Sequence, residues 1–122
     1  MRKRVGVFRY EIGLASASGD QFEVVSPWVD TGALYSQFPA SLLERLGHHP
    51  NAMRRFRLAD GSTMARPVGS VPIRIGNEVQ QVLCIYGEED GEMLLGATAL
   101  EVFSLAPDPV NETLTPIVAM LL

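Results

Sequence analysis

The sequence predicts a mostly β protein, a closed or barrel-like sheet with one or two short helices. Three observations point there. Apolar and polar residues alternate over long stretches, as at Phe8, Tyr10, Ile12 and Leu14 against Arg9, Glu11 and Gly13, which is the period of a half-buried strand. Turn-forming clusters at 16–20, 60–61 and 76–77 cut the chain at short intervals, as an all-β architecture requires. Helical character is confined to a stretch opened by Pro39 and another following Gly96.

In chain order, the Phe8 to Leu14 alternation is the first strand. Phe22, Val24 and Ser26, alternating with Glu23, Val25 and Pro27, form the second. The polar turn between them makes a hairpin the simplest arrangement. The second strand ends at Trp28-Val29-Asp30-Thr31-Gly32-Ala33, an acid on a glycine turn. Leu34 to Phe38 is extended. Pro39 suits the first turn of a helix, Leu42, Leu43 and Leu46 give its apolar stripe, and Gly47 suits the position past its end. Strands follow from near Met53 to Leu58 and from Thr63 to Ile75, joined through Asp60-Gly61, a hairpin signal. Pro67, Gly69 and Pro72 predict bulges or an edge position within the second of these. Val79 to Tyr86 is another strand, and 87–92 an acidic, glycine-flanked loop. Met93, Leu94 and Leu95 form a short buried strand, Gly96 breaks it, and a brief helix follows to about Glu101. Phe103 and Leu105 re-enter the core, 106–109 is a turn, and Leu114 to Leu122 is a final apolar strand.

A chain of 122 residues is expected to form one domain and buries roughly two thirds of its unfolded surface. Hydrophobic residues make up 47% and mean hydropathy is +0.13, which excludes a disordered chain. Net charge of −4 and a pI near 5.1 give no footing for nucleic-acid binding. The basic residues cluster at Arg2, Lys3, Arg4 and Arg9 and at Arg54, Arg55, Arg57 and Arg66, read as solvated faces. No apolar run reaches the length of a membrane span, and Arg2-Lys3-Arg4 leads into alternation, so no signal peptide is expected. The single cysteine, Cys84, lies in an apolar context and reads as a small buried hydrophobe. A lone thiol suits a reducing, cytoplasmic setting. His48 and His49 are adjacent and have no partner ligand cluster, so no metal is expected.

The order of these motifs resembles the retropepsin-like aspartic proteases, and within them the single-domain bacterial and archaeal members. The correspondence runs from about Phe22 to Leu114: Val29-Asp30-Thr31-Gly32-Ala33, the Pro39 helix ending at Gly47, the Asp60-Gly61 hairpin, and Leu94-Leu95-Gly96 before a short helix. The resemblance implies a retropepsin-like barrel fold and a catalytic Asp30 that activates water against a second carboxylate. It implies that Thr31 bonds across a dimer axis and that Gly32 and Ala33 complete the active-site loop. Leu94, Leu95 and Gly96 would pack behind that loop. Ala59, Asp60, Gly61 and Ser62 would form a flap over an extended peptide substrate, although Asp60 read alone is a turn former. No cofactor is implied. Because the chain holds one Asp-Thr-Gly, a complete pair of carboxylates requires a symmetric homodimer. Two departures stand out: Ala97 and Thr98 occupy positions where retroviral members carry a charged pair, and the flap stretch has neither their glycine richness nor a tyrosine. The C-terminal apolar segment is either ordinary core or an inter-subunit strand. Two functions fit these residues. One is an aspartic endopeptidase; the other is a non-catalytic peptide-binding or interaction module that keeps the same fold.

Overall fold

A computed structural model describes residues 8–122. The basic cluster at Arg2, Lys3 and Arg4 lies outside the described residues. Among the described residues, eleven strands and two helices follow one another as β1 (Phe8–Arg9), β2 (Ile12–Ala15), β3 (Phe22–Val25), β4 (Trp28–Val29), β5 (Ser36–Pro39), α1 (Ala40–Arg45), β6 (Ala52–Arg57), β7 (Thr63–Ile75), β8 (Glu78–Gly87), β9 (Leu94–Leu95), α2 (Ala97–Phe103), β10 (Leu105–Asp108) and β11 (Thr113–Pro116). Nine strands form one curled, barrel-like sheet with the order β1-β4-β9-β5-β8-β7-β2-β3, and β6 pairs with β7 off this path. Strands β10 and β11 form a separate ribbon. The mostly β class with short helices is as predicted.

The N-terminal hairpin is present but interrupted. β2 pairs with β3 (Ile12↔Val25) and β1 with β4 (Arg9↔Trp28) in the same register. The break falls at Pro27, which accepts a bond from the Tyr10 amide at 3.0 Å but has no N–H to return. Alternation also fails on β2, all four residues of which are buried. Arg74 lies over the Phe22 ring at 4.1 Å and the pair covers Gly13, where an added Cβ would meet both at 3.3–3.4 Å.

Pro67 and Pro72 produce no bulge. β7 runs unbroken for 13 residues, its register regular against β6 and against β8. Each proline instead sits where one flanking ladder has ended. The β8 ladder begins only at Val68, beyond Pro67, and the β2 ladder covers only Ile73 and Arg74, short of Pro72. A missing N–H costs little where no partner strand waits.

The core gathers Leu14, Val29, Phe38, Leu43, Val71, Ile73, Cys84 and Leu95, all essentially inaccessible to solvent, with α1 and α2 packed against the sheet through Leu42, Leu43, Ala99, Leu100 and Phe103. Burial pushes the Cys84 thiol up to about 12. α1 ends as expected at Gly47, in the left-handed region at φ +93°. The Gly47 and His48 amides bond back to Glu44 and Leu43 carbonyls at 2.9 and 3.0 Å, a Schellman closure. His48 is buried there, its Nε2 2.6 Å from the Ala15 carbonyl oxygen.

The C-terminal expectations need correction. The stretch 106–109 is not a turn: Leu105–Asp108 is a strand and the reversal falls at 109–112. Asp108 drives it, its carboxylate accepting from the Val110 and Asn111 amides at 3.1 and 3.2 Å and from the Asn111 side chain at 2.8 Å. The last strand stops at Pro116, and Val118, Met120, Leu121 and Leu122 are almost fully exposed.

Candidate active site

The centre of the sheet places the acid. β9 lies between β4, to which it is parallel (Trp28↔Leu94, Val29↔Leu95), and β5, to which it is antiparallel (Gln37↔Leu94). β4 in turn lies between β1 and β9, so Asp30 is the first residue beyond a strand held on both sides. The Trp28 and Asp30 amides donate to the Met93 and Leu95 carbonyls at 2.9 and 3.0 Å. The chain then turns, with the Ala33 amide donating to the Asp30 carbonyl at 3.1 Å and the Gly32 amide to the Asp30 Oδ1 at 2.9 Å. A carboxylate fixed by an amide two residues on is a self-orienting turn. Space at Gly32 is tight: its φ is not in the left-handed region, but an added Cβ would stand 3.1 Å from the Asp30 Oδ1 and press on the carboxylate. Asp30 is half-buried, while Thr31 is exposed.

Leu94, Leu95 and Gly96 lie behind this loop. Leu95 is fully buried and Leu94 half-buried. Gly96 makes the closest approach of the described glycines: an added Cβ would meet the Tyr35 carbonyl carbon and oxygen at 2.7 Å and the Ala33 oxygen at 2.8 Å. These are backbone atoms and cannot swing away. From there α2 begins, and its first amides are satisfied by the loop. Ala97 donates to the Ala33 carbonyl at 2.8 Å and Thr98 to the Leu34 carbonyl at 3.1 Å. The structure thus joins two segments more than sixty residues apart, 30–34 and 94–98, through backbone bonds.

Three contributors were not visible in the sequence reading. Ser36 is fully buried, and its Oγ accepts from the Gly96 amide at 3.1 Å. The signal was there, since Ser36 and Phe38 alternate inward along β5 and an inward hydroxyl needs a partner. Thr98, read only as the absence of a charge, uses its hydroxyl to donate to the Leu34 carbonyl at 2.8 Å. Glu89, read as part of a solvated acidic loop, receives the Ser41 amide at 3.2 Å and the Ser41 hydroxyl at 2.5 Å. It serves the start of α1, where Pro39 makes no side-chain cap.

The hairpin of β6 and β7 closes with a type I turn over Leu58 to Gly61 (Gly61 amide to Leu58 carbonyl, 2.9 Å), followed by Gly61 at φ +88°. Asp60 accepts the Ser62 hydroxyl at 2.5 Å and the Ser62 amide at 2.9 Å, and these bonds hold its carboxyl below the usual range. Ala59, Asp60, Gly61 and Ser62 are all exposed. Among the described residues no hydrogen bond or ring contact joins this tip to the Asp30 loop. The stem makes the link. The Phe56 ring meets the Tyr35 ring edge-on at 5.8 Å, and Arg54 donates to the Tyr35 hydroxyl at 3.2 Å. Between this stem and the sheet lies a cleft of about 280 Å³ lined by Gln37, Phe56, Leu58, Met64, Arg66 and Ile85, with Gly87 and Glu88 at its edge. No helix among the described residues is long and apolar enough to cross a membrane.

Residues 18–102 match the family described as "gag-polyprotein putative aspartyl protease". Among solved structures, the simian foamy virus (mac) protease is similar at a TM-score of 0.56 and 14% identity, covering 77% of this chain and 92% of its own. A Legionella pneumophila protein of unknown function is similar at 0.53 and 19% identity, covering 83% and 91%. A retropepsin-like aspartic protease from Rickettsia conorii matches at 0.47 and 21% identity, covering 83% and 85%. No curated protein sequence matches. With most of its length matched, and its sheet and Asp-Thr-Gly loop arranged as described, this chain belongs to the gag-polyprotein aspartyl protease family and has the retropepsin-like fold.

Proposed function

We propose that the protein is a homodimeric aspartic endopeptidase in which Asp30 of each copy supplies one carboxylate. The observation that carries this is the fixed Asp30 loop: a half-buried carboxylate held by the Gly32 amide on a turn clamped by β9 and α2. Two such carboxylates brought together on a two-fold axis cannot both ionise comfortably, and the pair holds one proton between them. The ionised member takes a proton from water, which attacks the scissile carbonyl, and the protonated member donates to the carbonyl oxygen. Collapse of the tetrahedral adduct returns a proton to the leaving amine and frees two peptides.

Two further features support the dimer. Thr31 is exposed and makes no side-chain hydrogen bond within the described residues, leaving its hydroxyl available to the other copy. The tail beyond Pro116 leaves Ile117, Val118, Met120, Leu121 and Leu122 exposed, apolar surface that a second copy would cover. The β6–β7 hairpin, hinged on Tyr35, acts as the flap, and an extended peptide pairs with its backbone. No cofactor enters the reaction, and the buried lone thiol of Cys84 fits a reducing, cytoplasmic setting.

The test is Asp30→Asn. Peptide cleavage by the wild-type protein should fall at least 1,000-fold in the variant, on the order of what loss of an essential catalytic group costs. Sedimentation should find both as dimers at micromolar concentration. Residual cleavage near the wild-type rate in Asp30→Asn, or a strictly monomeric active protein, sinks the proposal. Peptide binding without cleavage in the wild type would assign the chain to the non-catalytic module instead.

A further inference from the structure

Beside the cleft under the β6–β7 hairpin stands a charge that no carboxylate among the described residues pairs with. Strand alternation places Arg54, Phe56 and Leu58 on one face of β6. Their cross-strand partners Met64 (opposite Phe56) and Arg66 (opposite Arg54) share that face. Phe56, Leu58, Met64 and Arg66 all line the cleft. Arg54 reaches the same side, where its guanidinium bonds the Tyr35 hydroxyl and lies 6.0 Å from the centre of that ring. Two arginines directly opposed across an antiparallel pair repel each other. Arg66 is relieved by an ion pair with Glu88 at the cleft edge. Arg54 is not, because Tyr35 is neutral and no carboxylate pairs with Arg54 among the described residues.

The acidic loop does not reverse this balance. Glu88 is engaged by Arg66 and Glu89 by Ser41. Glu88, the one carboxylate among the residues lining the cleft, is thus already paired, and the charge left without a carboxylate beside the cleft is that of Arg54. A largely apolar cleft with a guanidinium two residues along the same strand face suits a ligand with a bulky apolar group and a carboxylate a short distance apart. A peptide lying extended along the hairpin turns alternate side chains to the same side, roughly 6.6 Å apart.

We propose that Arg54, backed by the Tyr35 hydroxyl, selects peptide substrates bearing Asp or Glu two positions from a bulky apolar residue, which fills the cleft between Phe56, Leu58, Met64 and Ile85. The carboxylate takes charge-assisted bonds from the guanidinium and removes the repulsion between Arg54 and Arg66. Arg54 is a specificity residue here, with no part in the chemistry at Asp30. The inference rests on the protease reading above for its substrate class.

A denatured proteome digest provides the test, with cleavage sites read by mass spectrometry. Wild-type sites should be enriched in Asp or Glu two residues from Leu, Phe, Met or Ile. In Arg54→Gln that enrichment, measured as a ratio to neutral sites, should fall about tenfold. In Arg54→Glu it should invert toward Lys and Arg, while Arg54→Lys retains most of it. Arg55→Gln, on the outer face and bonded to Thr63, should leave the profile unchanged. Identical profiles for wild type and Arg54→Glu overturn the proposal. A second measurement separates this from the protease reading: capture of a peptide array by the Asp30→Asn protein at low and high salt. Arg54-dependent, salt-sensitive capture of acidic peptides with no cleavage by the wild type overturns the protease reading and keeps the selectivity. Cleavage without acidic bias does the opposite, and neither cleavage nor capture overturns both.

Discussion

Gly96→Ala is the sharpest perturbation of the Asp30 loop. The new methyl would sit 2.7 Å from the Tyr35 carbonyl carbon and oxygen and 2.8 Å from the Ala33 oxygen, where ordinary contact begins at 3.4 Å. All three atoms are backbone, so relief requires segment 33–35 to move away from β9 by roughly 0.6–0.7 Å, and overpacking of this kind costs about 1–3 kcal/mol. The movement also stretches two bonds that cross the same gap, from the Gly96 amide to Ser36 Oγ at 3.1 Å and from the Ala97 amide to the Ala33 carbonyl at 2.8 Å, each worth about 1 kcal/mol. The sum is about 3–5 kcal/mol, which for a chain near this size lowers Tm by roughly 12–20 °C at ~4 °C per kcal/mol. Gly61→Ala supplies the contrast. Gly61 has φ +88° and nothing within 4 Å of an added Cβ, so its cost is the left-handed backbone alone, about 1–2 kcal/mol. Thermal unfolding by circular dichroism, run on both variants at one protein concentration, compares them. A Tm loss for Gly96→Ala no greater than that for Gly61→Ala would show that the loop and α2 are not locked through this contact.

Two further outcomes follow from buried groups. Ser36→Ala leaves the Gly96 amide buried without its acceptor and should cost about 1–3 kcal/mol in urea unfolding; a loss below about 0.5 kcal/mol would mean that the bond is not holding the loop. Cys84, pushed up to about 12 by burial, keeps its proton in the folded state after the unfolded thiol has lost its own. The unfolded chain then binds fewer protons, so this group's effect on stability is absent below about pH 8 and is a loss as pH rises from about 9 toward 12, about 1.4 kcal/mol per unit. Comparing wild type with Cys84→Ala at pH 7 and pH 10 isolates it: the wild type should lose about 1–1.5 kcal/mol more than the variant, and equal losses would contradict the burial argument.

What could be read from the sequence was whatever acts through local chain chemistry. The hairpin at Asp60-Gly61, the stop at Gly47 and the turn at Asp30-Thr31-Gly32 each depend on a glycine or an acid bonding within a few residues. The expected set Asp30 to Ala33 and Leu94 to Gly96 meets in one place because both segments end adjacent strands. What could not be read depended on partners distant in sequence. Periodicity along Phe8 to Leu14 said nothing of Pro27 facing Tyr10, so one strand was expected where there are two. Pro67 and Pro72 looked disruptive because a strand's neighbours are invisible in its own sequence, and here each proline faces a gap. Ser36, Thr98 and Glu89 gain their roles only when segments some fifty to sixty residues away arrive with an amide, a carbonyl or a hydroxyl. The turn at 106–109 failed for a related reason: prolines mark turns well, but Asp108 and Asn111 decide where this one closes.

The architecture divides the candidate site into a densely bonded part and a sparsely anchored one. The Asp30 loop is bonded to β9 and α2 through the amides of Asp30, Gly96, Ala97 and Thr98, with Gly96 packed against it more tightly than any side chain would permit. The hairpin has no comparable anchor near its tip; exposed from Leu58 to Thr63, it is tied to the loop through one edge-on ring contact and one bond to Tyr35. Tyr35 therefore stands between the two, its backbone against Gly96 and its side chain under Phe56 and Arg54. For the proposed endopeptidase, a tightly bonded loop suits chemistry that depends on placement, and a sparsely anchored hairpin suits entry of a chain that must be covered afterwards. Under the proposed selectivity, Arg54 acts from the hairpin and not from the Asp30 loop, so a change at Arg54 is expected to alter which peptides are cleaved while the bonds that hold the Asp30 turn stay as they are.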